Sequence, residues 1–197
     1  MREIFTQKLQ TRLAQSQMPL QGDSHYPPLA QLRAAAVLIP IVCYPEQWQV
    51  ILTQRTAHLH HHANQISFPG GRVDPEDTDA IATALRETHE EIGLAHTTIE
   101  VIGQLPRYCT ITGFAITPVI GLITPPYQLQ LDAFEVAQAF EVPLDFLLDA
   151  RHYQRHAYTQ ANRQGHYWAV PYQDKFIWGA TAGMLHHLLE CLADPTD

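Results

Sequence analysis

Three glutamates gather on one side of a predicted helix near the middle of the chain. In the segment IATALRETHEEIG, residues 81–93, the helical repeat places Glu87, Glu90 and Glu91 within an arc of roughly 100°. Carboxylate oxygens are the ligands that Mg²⁺ and Mn²⁺ prefer. The spacing therefore predicts that a divalent cation binds this face of the helix.

The alternative is a simple solvated face, in which each glutamate usually has a lysine or arginine one turn away. Between residues 78 and 94 there is no lysine, and the single arginine is Arg86. Neighbouring like charges cost roughly a few tenths of a kcal/mol per pair, and a cation would turn that repulsion into coordination. The opposite side of the helix is apolar and is expected to pack against the core through Ile81, Leu85 and Ile92.

A glycine pair precedes this helix in the segment FPGG, residues 68–71. Gly70 and Gly71 can adopt positive φ angles and let the main chain approach a ligand closely. Two glycines alone indicate only a turn. Their order along the chain is more informative, because the glycine turn and an acidic spacer lead to Arg-Glu-x-x-Glu-Glu on a helix that Gly93 ends.

The elements that must position these residues are a mixture of strands and helices. Helices are predicted over residues 2–16, from Thr78 or Asp79 to Ile92, between Pro143 and Asp149, and from Trp178 to about Leu192. Residues 56–77 are predicted to form a loop. Strands are predicted over residues 34–44, 48–55, 99–105, 114–123, 134–142, 152–158 and 166–171. This irregular alternation indicates the α/β class, with a mixed sheet between helices.

Composition restricts the function classes. The chain of 197 residues suits a single domain, and its hydrophobic content of 46% with 16% charged residues is typical of a globular protein. No apolar run approaches the ~18 to 20 residues that would cross a bilayer. Three scattered cysteines and an amino terminus without a secretory pattern favour the cytoplasm. A net charge of -8 argues against nucleic-acid binding, and a phosphate substrate would need local arginines or a metal.

The motif order resembles the Nudix hydrolase family, whose box reads G-x5-E-x7-R-E-U-x-E-E-x-G-U, where U is bulky and aliphatic. Thr88 replaces the first bulky residue. The spacing from Gly71 to Arg86 is one residue longer than in the general box, so Thr78 stands where the first glutamate is expected. The matching residues are Arg86, Glu87, Glu90, Glu91, Gly93 and Leu94. Three acidic residues lie near Thr78, and none of them is assigned the role of the first glutamate: Asp74, Glu76 and Asp77.

The longer spacing is similar to that of the coenzyme A pyrophosphatase branch, whose box commonly reads GGxxDPxDxDxxxxALREAxEEIGL. Residues 52–71 also resemble the branch signature LTxR(S/A)xxxRxxxGxxxFPGG, although Thr56, His60 and Asn64 replace the expected Ser or Ala, Arg and Gly. The segment FIWGATAGML resembles the branch's C-terminal helix. The length predicts one domain over residues 1–197, and the resemblance, which covers most of residues 30–192, predicts the Nudix box at 70–94.

The resemblance implies an α/β/α Nudix sandwich with a mixed sheet and a hydrolase that uses Mg²⁺ or Mn²⁺. Glu87, Glu90 and Glu91 would be metal ligands. Arg86 would hold Glu87 or Glu90 by a two-point hydrogen bond, unless it is only a helix-stabilising ion pair. Glu135 lies at the start of the predicted strand 134–142 and is a candidate ligand or base, with simple surface placement as the alternative.

Substrate contacts are expected from Arg55, His60, Gly70 and Gly71, although Arg55 could also be a surface charge on an edge strand. The consecutive histidines His60, His61 and His62 invite a zinc interpretation. Consecutive residues cannot all point inward, and no cysteine lies nearby to complete a zinc site. Contact of one histidine with phosphate, or simple exposure, is the competing interpretation.

Three functions follow from these expectations. The first is hydrolysis of coenzyme A or acyl-coenzyme A to 3',5'-ADP and (acyl-)4'-phosphopantetheine. The second is hydrolysis of ADP-ribose or a dinucleotide, and the third is a nucleotide-binding module without turnover. The intact Arg-Glu-x-x-Glu-Glu argues against the third, because binding alone does not need three clustered carboxylates. The expected partner is a small nucleotide-like molecule, with no nucleic acid or membrane, and a homodimer is a candidate assembly.

Overall fold

The computed structural model of the chain describes residues 2–15, 21–58, 63–160 and 163–193. Its helices are α1 (Arg2–Gln15), α2 (Ala80–Ile92), α3 (Leu144–Leu147) and α4 (Ala180–Leu192). Its strands are β1 (Gln21–Gly22), β2 (Arg33–Val42), β3 (Gln49–Arg55), β4 (Ile66–Ser67), β5 (Gly70–Arg72), β6 (Ile99–Gln104), β7 (Tyr108–Cys109), β8 (Phe114–Ile123), β9 (Val136–Pro143), β10 (Gln154–Gln160), β11 (Arg163–Tyr172) and β12 (Lys175–Trp178). None of the helices described is long and apolar enough to cross a membrane.

A mixed sheet forms the centre of the molecule, with the strand order β1-β7-β8-β2-β3-β4. Strands β5, β6 and β9 pair with β2, β8 and β3, respectively. The longest pairing is parallel and joins β2 to β8, from Arg33 opposite Phe114 to Val42 opposite Ile123. The pairs of β3 with β9 and of β6 with β8 are antiparallel. A separate antiparallel sheet contains β10, β11 and β12.

Helices cover both faces of the central sheet. Strand β2 is buried on both sides, which explains its nearly continuous run of apolar residues. Ala36 and Leu38 face α2 and pack with Ala84. Residues on the other face of β2 share a core with α1 and α4, including Ile39, Leu9 and Leu185. The predicted α/β/α sandwich with a mixed sheet is therefore confirmed.

Helix α2 ends at Ile92 as predicted, but it begins at Ala80, one or two residues after the predicted start at Thr78 or Asp79. The Asp79 side chain accepts a hydrogen bond from the Ala82 amide at 2.8 Å and caps the first turn. Gly93 ends the helix with a φ of 69°, a left-handed conformation that suits glycine. The predicted apolar stripe is partly wrong. Its buried side chains are Thr83, Ala84, Thr88, Glu91 and Ile92, while Ile81 and Leu85 are only half-buried.

The buried side of α2 carries mostly small side chains, and Glu91 lies on this side and is buried with them. Ile81 and Leu85 are half-buried and pack against the cluster of Ala36, Leu38, Ala84 and Val119. One of the three predicted ligands is consequently buried.

Several elements differ from the predicted ones in the second half of the chain. The final helix begins at Ala180, because Trp178 belongs to β12 and Gly179 has a φ of 66°. Strand β12 was not predicted, since its turn from β11 contains Gln173 and Asp174 instead of a glycine-rich pair. The predicted loop over residues 56–77 contains the short strands β4 and β5.

Candidate functional site

Arg86 is the centre of a network of acidic side chains at the start of α2. Its Nε and Nη2 donate to the two carboxylate oxygens of Asp77 at 3.0 and 2.9 Å. Its Nη1 donates to Glu87 at 2.9 Å and to Glu90 at 3.0 Å. The two-point partner is therefore Asp77, and the prediction that Glu87 or Glu90 has this role is wrong. Arg86 does contact both glutamates through a single nitrogen.

Asp77 is the site residue that the sequence left unassigned. Its carboxylate also accepts from the Asp74 amide and the Thr83 hydroxyl, each at 2.8 Å. The hydrogen bonds from Arg86 hold the pKa of Asp77 well below its usual range. Counting forward from Gly71 by the box spacing gives Asp77, whereas counting back from Arg86 gives Thr78, which is exposed. The extra residue of this box therefore lies after the acidic position.

The backbone of the glycine pair lies against the carboxylates of two of the glutamates. A side chain at Gly71 would overlap the carboxylate of Glu87. The Gly70 amide donates to Glu91 Oε2 at 3.3 Å, and a side chain at Gly70 would overlap the backbone of β2. Gly70 also has a φ of 152°. The two glycines thus allow β5 to approach α2 closely enough to contact its carboxylates.

Arg55 joins the end of β3 to the same cluster. Its guanidinium lies 3.7 Å from Glu91 Oε1 and 3.5 Å from Glu135 Oε2. The Arg55 side chain is 26% exposed and that of Glu135 is 42% exposed, whereas Glu91 is buried. Glu135 therefore lies beside the predicted ligands, and Arg55 is directed into the acidic cluster. Their roles stay predictions.

A short turn holds Glu135 in place from two sides. The Asp132 amide donates to the Glu91 carbonyl at 2.9 Å, and the Gln130 amide donates to the Ile92 carbonyl at 2.8 Å. The Thr56 amide donates to the Glu135 carbonyl at 3.0 Å. The turn thus satisfies the last carbonyls of α2 and also contacts the residue that follows Arg55.

Burial dominates the electrostatics of the two inner glutamates. It raises the pKa of Glu91 to about 8, an effect that the Gly70 amide and Arg55 oppose and that Glu135 and Glu87 reinforce. Burial also raises the pKa of Glu87, with Arg86 opposing and with Glu90 and Glu135 reinforcing. Without a bound cation, both inner carboxylates are therefore harder to ionise than a solvated glutamate.

The carboxylate oxygens of this cluster are suitable ligands for a divalent cation. In the described ranges, no three acidic, histidine or cysteine side chains converge into a ready-made metal site. Arg86 and Arg55 instead contact the carboxylates of Glu87, Glu91 and Glu135. Buried, mutually repelling carboxylates are the oxygen ligands that Mg²⁺ and Mn²⁺ prefer. A bound cation would favour the ionised form of Glu91, which burial disfavours.

Of the predicted site residues, the structure brings together Arg55, Gly70, Gly71, Arg86, Glu87, Glu90, Glu91 and Glu135. Glu90 is the outermost of the glutamates, with a side chain that is 57% exposed. His60, His61 and His62 lie outside the described residues.

Comparison with known proteins gives consistent matches. A family model of the NUDIX domain matches residues 32–162. The chain is 42% identical over 164 residues to a Photorhabdus laumondii protein named "Uncharacterized Nudix hydrolase NudL", covering 80% of this chain and 84% of that protein. It is 43% identical over 159 residues to the Escherichia coli K12 protein of the same name, covering 79% and 81%.

Among solved structures, the chain is similar to the Nudix hydrolase RenU from M. smegmatis, with a TM-score of 0.49 and 25% identity over 57% of this chain and 71% of that one. It is also similar to the C. elegans Ap4A hydrolase, with a TM-score of 0.48 and 22% identity over 58% and 82%.

The family model and the curated relatives agree with the box on α2. Nudix hydrolases generally need divalent metal ions and act on small nucleotide-like molecules. The chain belongs to the Nudix hydrolases and is a diphosphate hydrolase.

Proposed function

We propose that this enzyme uses Mg²⁺ or Mn²⁺ to hydrolyse coenzyme A or acyl-coenzyme A to 3',5'-ADP and (acyl-)4'-phosphopantetheine. The contact between Arg55 and Glu91 is the observation that carries the proposal. Arg55 belongs to the segment that resembles the coenzyme A pyrophosphatase signature, and Glu91 belongs to the Nudix box. Their contact supports a common role for the two motifs at one site.

Each group in the cluster has a chemical role in this proposal. Glu87, Glu90 and Glu91 would hold the divalent cation, which would supply neutralisation of phosphate charge and a lowered pKa for the attacking water. Arg86 fixes the orientation of Glu87 and Glu90 by its hydrogen bonds, and Asp77 in turn fixes Arg86. A fixed orientation matters because small displacements of catalytic groups lower the rate strongly.

Arg55 and Glu135 would act on the substrate side of the cluster. Arg55 would bind a phosphate oxygen, since its guanidinium can exchange a carboxylate for a phosphate in the same geometry. Glu135 would accept the proton of the attacking water, because its carboxylate is partly exposed and is held beside Glu91 by Arg55. Backbone freedom at Gly70 and Gly71 would let the main chain approach the diphosphate.

A substrate panel tests the proposal. Coenzyme A, acyl-coenzyme A, ADP-ribose and a dinucleotide would be incubated with Mg²⁺ or Mn²⁺, and the products separated by mass. Formation of 3',5'-ADP from coenzyme A is expected. If only other diphosphates are cleaved, the enzyme class stands and the proposed substrate is wrong.

Charge-removing variants test the ligand roles. Glu90→Gln and Glu91→Gln should each lower kcat by orders of magnitude at constant metal, because each removes a negative charge and little volume. Circular dichroism would show that the fold is retained. Rates near those of the wild type in either variant would disprove the ligand role of that glutamate.

Replacement of the expected Arg by His60 favours a second candidate substrate, another nucleoside diphosphate such as ADP-ribose. A neutral histidine would weaken a phosphate contact by about 1 to 2 kcal/mol relative to arginine. His60→Arg should therefore lower the KM for coenzyme A with little change in kcat. An unchanged KM at about pH 8, where histidine is neutral, would show that residue 60 does not contact the substrate.

Location in the cytoplasm and assembly as a homodimer also stay predictions. Cell fractionation tests the first, and light scattering of the purified protein tests the second.

A further inference from the structure

A cavity of about 480 Å³ lies beside the small sheet, away from the acidic cluster. Its volume is within the range of small-molecule sites. None of the glutamates described above lines it. Its walls come from the β10–β11 hairpin, from the junction of β12 with α4, and from residues 110–112 before β8.

Aromatic rings form much of the wall. Tyr158, Tyr167 and Trp178 all line the cavity. Tyr167 packs edge-on against Trp178, with ring centroids 5.5 Å apart, and Trp178 is 41% exposed. Strand pairing places these residues on one face of the sheet, because Tyr158 lies opposite Gly165 and Ala169 lies opposite Trp178. The face therefore offers apolar surface to a ligand.

The polar groups of the wall are mostly amides and hydroxyls, together with the imidazole of His166. Gln65, Thr110, Thr112 and Thr159 provide amide and hydroxyl groups. Asp23 provides a carboxylate, which accepts hydrogen bonds from the Tyr108 hydroxyl at 2.9 Å and from the Ile111 amide at 2.6 Å. Among the described residues that line the cavity, none is a lysine or an arginine.

The charge of the cavity wall makes it more suitable for one half of the proposed substrate than for the other. The 3',5'-ADP half carries several phosphate charges, which the Asp23 carboxylate repels, and no lysine or arginine among the described lining residues offsets that repulsion. Beyond its phosphate, the 4'-phosphopantetheine half is an uncharged chain with two amides. Such a chain suits walls of aromatic rings with a few hydrogen-bonding groups. The cavity therefore suits the uncharged pantetheine arm and disfavours the 3',5'-ADP half.

Gln65 connects this cavity to the acidic cluster. It lines the cavity, and its carbonyl accepts a hydrogen bond from the Arg55 amide at 3.0 Å. Arg55 contacts Glu91 and Glu135. A substrate with its diphosphate beside Arg55 would consequently extend its chain past Gln65 towards Trp178.

We propose that this cavity binds the uncharged, amide-containing arm of the diphosphate substrate and so determines which diphosphates the enzyme prefers. The proposal rests on the function proposed above. Trp178 is the main specificity residue, and its ring packs along the arm.

Kinetics on two substrates test the assignment. The first substrate is coenzyme A, and the second is 3'-phospho-ADP methyl ester, which keeps the diphosphate and lacks the arm. Trp178→Ala should raise the KM for coenzyme A about tenfold, corresponding to about 1.4 kcal/mol, with kcat and the methyl ester little changed. Trp178→Phe should restore most of the affinity.

Phe176→Ala is the matched control, because Phe176 is 44% exposed on the same strand and does not line the cavity. It should leave both substrates unaffected. Equal losses on both substrates in Trp178→Ala, or no loss on coenzyme A, would overturn the proposal.

Binding of pantetheine alone separates this proposal from the proposed function. Saturation-transfer NMR with the wild type and millimolar pantetheine should show transfer that Trp178→Ala abolishes and Phe176→Ala retains. Added 3',5'-ADP should not displace pantetheine. Absence of transfer in the wild type, or displacement by 3',5'-ADP, overturns the cavity assignment. Transfer without cleavage of coenzyme A would refute the proposed function and leave the cavity assignment standing.

Discussion

Replacing Glu91 by glutamine should change how the stability of the metal-free protein depends on pH. Glu91 is 6% exposed and lies between α2 and the glycine pair of β5. Its carboxylate is near Arg55, at 3.7 Å, but this contact does not offset burial. Without a cation, the folded protein therefore favours the protonated side chain.

The magnitude follows from the pKa. Burial raises the pKa of Glu91 from 4.5 to about 8, and one pKa unit corresponds to about 1.36 kcal/mol. The folded chain binds the proton more tightly than the unfolded chain, by about 5 kcal/mol on this scale. This stabilisation is fully present below about pH 4.5 and is lost as the pH rises through about 8. Glu91→Gln stays neutral and should lack this decline.

Urea unfolding in EDTA, from about pH 5 to about pH 9, measures the effect. Glu90→Gln is the control, because the Glu90 side chain is 57% exposed, and it should retain the decline of the wild type. Added Mg²⁺ at about pH 8 should stabilise the wild type more than Glu91→Gln, since a ligand of the folded state stabilises it. Parallel pH profiles for the wild type and Glu91→Gln would show that Glu91 is not the group that causes the decline.

Three further predictions concern the same cluster. Asp77→Asn should lower kcat by roughly 10- to 100-fold, through loss of Arg86 orientation, whereas the exposed neighbour Glu76→Gln should have little effect in the same assay. Gly71→Ala should lower kcat by a similar factor, because the added methyl displaces the Glu87 carboxylate; an unchanged rate in the folded variant would contradict this packing. Excess EDTA should abolish activity, and the initial rate with Mg²⁺ should rise towards alkaline pH as bound water ionises, so a flat profile would argue against that water as the nucleophile.

Local patterns predicted the parts of the fold that local physics determines. Helix α2 has the expected end at Gly93 and begins next to the expected residues, because helix ends depend on residues close in sequence. Strand β8 has the predicted bounds, Phe114–Ile123. The hairpin of β11 and β12 escaped prediction, since Gln173 adopts a φ of 53° in a turn without glycine or asparagine.

The candidate site also combines features that sequence spacing predicts with features that depend on the tertiary structure. The glutamates of α2 followed from helical spacing, but the burial of Glu91 depends on how the helix lies on the sheet, which spacing alone does not determine. The pairing of Asp77 with Arg86 joins residues on either side of the helix start and needed the three-dimensional path of the chain. Glu135 could be named from its place at the start of a predicted strand. Its contact with Arg55 depends on the pairing of β3 with β9.

The turn that carries Glu135 is bound to the end of α2 and to β3, so it forms one structural unit with the Nudix box. Its amides satisfy the end of α2, and Thr56 holds it from the side of β3. Residues 130–136 are thus tied to the helix as well as to their own strand. The preceding residues are anchored too, because Tyr127 donates to Glu141 and because Tyr127 and Leu129 pack against the cluster that contains Ile92 and Leu94. In a chimaera between related enzymes, residues 130–136 should be exchanged together with residues 70–93. An insertion after Gln130 should separate Glu135 from Glu91.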